Sequence, residues 1–256
     1  MDKKEKMIHP SAIIHKNAIL GNNVSVGPNS IVGKNVQIGE NTIIEDNVRL
    51  DGNVNIGQDV YMHRCVTIGP PQHLSFKDYE HSTTIQSKTI LREFVTIHGS
   101  TSETPTKIGE NCYLMAFSHV GHDCNLGNNV ILTNFVQLGG HVTVGKKAVI
   151  GGGTMVHQRT EIGKRAMVAA MIAIRSSVPP YSMVAETGKG IKIVSINRRG
   201  MSDDLNLRKN AVQAMKLLKI ETNKKKLLEE LSKLKTNESS SLKNFINSNT
   251  KYYKWD

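Results

Sequence analysis

Aliphatic residues recur at every sixth position along most of the chain. The frame opens at Ile8, Ile14, Leu20, Val26 and Val32 and runs to Ile68. It returns at Ile85, Leu91 and Ile97, then continues unbroken from Ile108 through Leu126, Val144 and Ile162 to Ile174. Gly often follows the aliphatic residue, as at Gly21, Gly27, Gly109 and Gly145, and the fifth position is small or β-branched, as at Ala12, Val24, Ser30, Cys124 and Ala148. A six-residue period suits neither an amphipathic helix nor a lone half-buried strand. It predicts short extended segments joined by turns, with the aliphatic side chain inward, the small residue filling the interior, and Gly or Asn permitting the corner. Three hexads per coil give a parallel β-helix of roughly eight or nine coils, about 40 Å long at ~4.8 Å per rung.

Two segments break the frame, PPQHLSFKDYEHSTT (70–84) and GSTSETPTK (99–107). A solenoid ejects such insertions as surface loops, and both are candidates for function. The hexads stop after VPPYSM at residue 183, and 184–201 reads as a connector. Across 202–256 the spacing turns helical, with Leu207, Ala211, Met215 and Leu218, then Leu227, Leu231 and Leu234, then Leu242, Phe245 and Ile246. The expected organisation is therefore a β-helix over 1–183, a connector, and a small helical C-terminal domain over 202–256.

Composition narrows the class. No stretch of the 256 residues approaches the roughly 18 to 20 apolar residues of a membrane span. The charged start MDKKEKMIHP lacks the apolar core of a leader, so the expectation is a cytoplasmic protein without membrane insertion. Three Cys without a CxxC spacing argue against a disulfide framework, and Cys112 and Cys124 fall in the small interior slot. The net charge of +11 implies an anionic partner. Aromatics at 5% and the absence of nucleic-acid-binding signatures speak against nucleic acid. The 202–256 segment holds 12 Lys/Arg against 7 Asp/Glu, which reads either as a solvated face or as a docking surface for an acidic partner.

Of the ten His, six lie between residues 73 and 141, and the densest element is His119-Val-Gly-His122-Asp123. With about 18 residues per coil, positions 104, 122, 140 and 158 stack. His122, Gly140 and Gln158 then form a column, with His141 and His157 at its margins and His119 and His122 projecting outward. Three readings fit: corner-capping histidines, a metal site, or a general base oriented by a neighbouring Asp with room for substrate over Gly. The set His98, His119, His122 and His141 lacks a recognisable metal-ligand spacing, so no metal is expected. No convincing Ser-His-Asp or Cys-His pairing is present.

The ordered set Arg92-Glu93, Thr96-Ile97-His98, His119-Val-Gly-His122-Asp123-Cys124, Gly140-His141-Val142, Val156-His157-Gln158, Val178-Pro179-Pro180-Tyr181 and Arg198-Arg199-Gly200 resembles the acyl-[acyl carrier protein]–UDP-N-acetylglucosamine O-acyltransferases of lipid A synthesis. The likeness extends over nearly the whole chain, helical tail included. It implies a left-handed, three-sided β-helix and a homotrimer with active sites between subunits. It implies His122 as general base toward the sugar 3-hydroxyl, Asp123 as its orienting partner, and the Gly140 amide as oxyanion donor. His98, His119, His141, His157 and Gln158 match positions lining the substrate cleft, Arg198 and Arg199 a phosphate-contacting pair, and Ala170 a small residue on the acyl-chain ruler. It implies no permanently bound cofactor and an acyl donor carried on the phosphopantetheine of acyl carrier protein, an acidic partner suited to a +11 chain.

The chain also departs from that pattern. The loop usually reading Gln-Asp-Leu-Lys is Gln72-His73-Leu74-Ser75, and Ile-His-Arg-Gly has become Ile97-His98-Gly99-Ser100. Arg159-Thr160 replaces an apolar pair. His73 and Ser75, as altered substrate-binding positions, favour a second reading in which another nucleotide sugar, or an amine on it, is the acceptor, with a carrier protein or coenzyme A as donor. A catalytically silent trimeric scaffold is the third.

Overall fold

The computed structural model describes residues 7–69, 81–249 and 251–255; His73 and Ser75 fall outside them. Among the described residues, short parallel strands stack into three sheets of nine, eight and ten strands, and successive strands of the chain pass from one sheet to the next. This is a left-handed parallel β-helix, a three-sided prism. The first face carries Thr96–His98, His119–Val120, Gln137–Leu138 and Met155–Val156 in register, Thr96 beside His119, His119 beside Gln137 and Gln137 beside Met155. Asn125–Leu126 and Thr143–Val144 belong to the second face, and Tyr113–Leu114, Ile131–Leu132 and Val149–Ile150 to the third.

The hexad aliphatics fill the interior: Leu114, Val120, Leu126, Leu132 and Ile150 are all fully buried. The small slot works as the period predicts. Cys112 and Cys124 are buried, and each thiol donates to a carbonyl of the next coil, Gly127 O and Gly139 O, at 3.2 Å. Thr154 holds the same slot with its hydroxyl donating to Ala169 O at 2.9 Å.

The glycines act differently from the sequence expectation. A Cβ on Gly145 would stand 2.4 Å from the Lys164 nitrogen, so this Gly is required by close approach of the next coil. The left-handed corner conformation falls instead on a later residue, such as Asn23, Asn41, Asn111 or Asn129, at φ between 52° and 61°. Asn tolerates that region by local side-chain hydrogen bonding; along this edge Asn111 Nδ2 donates to Asn129 Oδ1 at 2.8 Å. On the edge between the third and first faces the same conformation is taken by Phe94, Phe117 and Phe135. Their rings stack in parallel at 4.8 and 5.0 Å and stay exposed.

The prism does not stop at residue 183. Ser182–Thr187 pairs parallel to Met167–Val168 and turns back antiparallel through Gly190–Ile196, so the connector is a hairpin extending the third face. A single 3-10 turn, Arg199–Met201, leads into helices α1 (Leu205–Ile220), α2 (Lys224–Lys233) and α3 (Asn237–Ser248). Asp204, Asn223 and Thr236 cap their N-termini by accepting from backbone N–H groups. Met201, Ala211, Met215, Leu227, Leu231, Leu242 and Ile246 close a second core over Tyr181. Asp203 ties this layer to the prism through Lys147 and Arg165.

Candidate active site

His122 and Asp123 form the corner between the first and second faces, two residues after the strand His119–Val120 ends. The corner places Asp123 in the left-handed region at φ 59°, and His141 repeats this one coil on at φ 60°. That turn brings the Asp123 carboxylate beside its neighbour's ring, with His122 Nδ1 2.6 Å from Oδ2. A carboxylate so placed fixes Nδ1 as the protonated nitrogen. The His122 ring lies across Gly140: a Cβ there would meet Nε2 at 2.5 Å and Cε1 at 2.6 Å.

The Asp123 side chain is 7% exposed and its oxygens are taken by four donors. Thr101 N–H and Ser102 Oγ donate to Oδ1, each at 3.0 Å, while Thr101 Oγ1 donates to Oδ2 at 2.6 Å beside His122. Burial would push this carboxyl up, but the Thr101 hydroxyl, the His122 ring, the Thr101 N–H and Ser102 outweigh it and hold the pKa at about 2. The nitrogens of His122 and His141 and an oxygen of Asp123 lie within 4.8 Å of one another, close enough for a cation. The four donors already on Asp123 make it an orienting group more than an open ligand.

His98 and His119 flank this pair on the first face, and His141 stands at the same corner one coil on. His119 Nδ1 lies 2.8 Å from Thr96 Oγ1 and its ring meets His98 edge-on at 4.7 Å. Burial first, then the neighbouring His98 and His122, pull its pKa down to about 4, so the ring is neutral at pH 7. His141 packs edge-on against His122 at 5.1 Å, with Nε2 3.7 Å from Asp123 Oδ2. Burial lowers its pKa, opposed by Asp123.

His98, His119, His122, Asp123, Gly140 and His141 are thus brought together. His157 and Gln158 lie at the next corner of the same edge, in a polar recess shared with Arg159, Arg175 and Lys251. Ala170 sits on a different edge of the prism, directly before Met171, and Arg198 lines a groove with Leu205, Arg208 and Lys209 at the foot of α1. One chain does not gather these residues at His122. At the expected column of 104, 122, 140 and 158, the rung before His122 is a loop: Thr96 pairs with His119 ahead of the corner and Lys107 with Asn125 after it, so the surplus residues between Ile97 and Ile108 leave the coil here. Sequence reasoning missed Thr101 and Ser102, though that surplus, placed one coil before His122, was the available signal.

The bacterial transferase hexapeptide family (six repeats) matches residues 105–140. The acyl-[acyl-carrier-protein]–UDP-N-acetylglucosamine O-acyltransferase of Trichlorobacter lovleyi is 50% identical over 206 residues, covering 77% of this chain and 79% of that protein. Among solved structures, the UDP-N-acetylglucosamine acyltransferase of Francisella novicida superposes with a TM-score of 0.91 at 30% identity, over 97% of this chain and 94% of that one. The enzyme of the same name from Campylobacter jejuni gives 0.88 at 29%, over 97% and 99%. The chain is an acyltransferase and belongs to the family of acyl-[acyl-carrier-protein]–UDP-N-acetylglucosamine O-acyltransferases.

Proposed function

We propose that the chain moves a 3-hydroxyacyl group from acyl carrier protein to the 3-hydroxyl of UDP-N-acetylglucosamine, the opening step of lipid A synthesis. The observation that carries this reading is the 2.6 Å contact between His122 Nδ1 and Asp123 Oδ2 at the corner above Gly140. His122 Nε2 takes the proton of the sugar hydroxyl as its oxygen attacks the thioester carbonyl. The Gly140 N–H, which meets no acceptor among the described residues, is the donor for the resulting oxyanion. Collapse breaks the C–S bond, and the pantetheine sulfur leaves with the proton held on His122. Neutral His119, with His98 and His141, lines the sugar side, and His157 and Gln158 continue the cleft.

A homotrimer is part of this proposal, since Ala170, Arg198 and Arg199 reach a His122 only if a neighbouring copy supplies them. The outward side chains of the third face support it. Ile43, Tyr61, Ile90, Tyr113, Ile131, Val149 and Met167 form an apolar strip, and the Phe94, Phe117 and Phe135 ladder runs beside it. The test is transfer from a panel of 3-hydroxyacyl carrier proteins to UDP-N-acetylglucosamine and its 3-amino analogue, with His122→Ala as control. Turnover lost by about 10²-fold or more in the variant supports the reading. No turnover with either acceptor overturns it.

A further inference from the structure

The loop between Ile97 and Ile108 has no place in the mechanism above, yet it touches the group that orients the base. In the two following coils this corner is made by residue pairs, Gly140 with His141 and Gln158 with Arg159. In the coil before His122, residues 99–105 replace the pair and arch over the Asp123 carboxylate. We propose that Thr101 and Ser102 are positioning residues that hold Asp123 in its productive orientation toward His122. The inference rests on the reading of His122 as base.

Three contacts reach the carboxylate from this loop: the Thr101 N–H, the Thr101 hydroxyl and the Ser102 hydroxyl. A fourth anchors its backbone, where Asp123 N–H donates to Thr106 Oγ1 at 2.8 Å. The loop is itself pinned to the second face. Ser100 is fully buried, its hydroxyl donates to Ser102 O at 2.9 Å and lies 3.1 Å from Ser82 Oγ, and Ser100 O is 2.8 Å from His81 Nδ1. A continuous set of hydrogen bonds therefore runs from the strand Ser82–Ile85 through Ser100 and Ser102 to Asp123 and His122. The Asp123 carboxylate could otherwise rotate about its side-chain torsions; three donors from the loop on one side and the imidazole on the other leave it one orientation. Without the Thr101 hydroxyl, Oδ2 faces only His122, with His141 Nε2 next nearest at 3.7 Å.

The test compares Thr101→Val, Ser102→Ala and Thr101→Ser with Glu103→Ala, a loop residue for which no contact to Asp123 is found. Thr101→Val is expected to lower kcat roughly 10-fold, the scale of a hydrogen bond to a charged group, with KM for both substrates within about two-fold. Thr101→Ser recovers most of the rate and Glu103→Ala leaves it unchanged. In an Asp123→Asn background, Thr101→Val has no further effect if it acts through Asp123. A kcat within two-fold of wild type, or an equal loss in both backgrounds, overturns the inference. Retained activity in His122→Ala and Asp123→Asn would instead sink the underlying base assignment. Thermal unfolding of each variant separates a loosened fold from a misaligned carboxylate.

Discussion

The imidazole of His122 rests on the Cα of Gly140, with no room between them for a methyl group. Position 140 is therefore fixed by sterics before any role of its amide is considered. Gly140→Ala should displace the ring by a fraction of an ångström to an ångström and lower kcat/KM about 10²-fold. The fold should barely respond, because the clash is with one partly exposed side chain. Kinetics set beside thermal unfolding check this; full activity in Gly140→Ala would mean the ring is placed differently during turnover.

Asp123→Asn keeps the shape and removes the charge. The amide cannot accept equally from all four donors, and the preferred His122 tautomer is lost. A drop in kcat of about 10²- to 10⁴-fold is expected, with substrate affinity nearly intact. Steady-state kinetics at saturating acceptor would show it, and a loss confined to KM would count against the orienting role.

His119 gives the protein an acid-labile element. Its folded pKa of about 4 lies below the ordinary value of 6.5, so between those pH values the unfolded chain binds a proton that the native state refuses. Its contribution is complete above pH 6.5 and declines as pH falls toward 4, by up to about 3 kcal/mol. Denaturant titrations at pH 7 and pH 5 should show wild type losing more stability than His119→Gln. Equal losses would contradict the buried, neutral state.

The interior slot accepts a hydroxyl where it now holds a thiol. Cys124→Ser should cost less than about 1.5 kcal/mol, since Thr154 fills the equivalent slot with the same kind of bond to a carbonyl. Cys124→Leu should cost more through overpacking. Burial raises the Cys112 thiol to about 11 and the Cys124 thiol to about 12, so neither should be alkylated in native protein at pH 7.

Phe117→Glu probes the proposed trimer. It places a charge in the middle of an aromatic ladder that a partner copy would cover. Sedimentation should show a shift from trimer toward monomer along with loss of transfer. An unchanged trimer would place the subunit contact elsewhere.

The prism was legible because each interior side chain repeats at a constant interval, from Ile108 to Ile174 without a fault. The meeting of His122, Asp123 and Gly140 followed from the same count, as stacking depends only on residues per coil. What escaped was whatever breaks the count. The loop at 99–105 interrupts the count at this corner, between Thr96 opposite His119 and Lys107 opposite Asn125. Thr101 and Ser102 carry no periodic mark, and only folding shows them reaching Asp123. The hairpin Ser182–Ile196 was hidden because its strands lack the hexad. Arg198 and Ala170 were legible as motif members but lie apart from His122 within one chain.

Within the prism the strands of each coil pair with those of the coils on either side, and the helical layer covers one end of the stack. The first described coils, with Ile8, Ile14 and Leu20 only partly buried, have no comparable cover among the described residues. Opening should therefore start at that end and travel inward like a zip, while amide protons around His122, deep in the stack, remain among the slowest to exchange. The chemistry is placed where the molecule comes apart last.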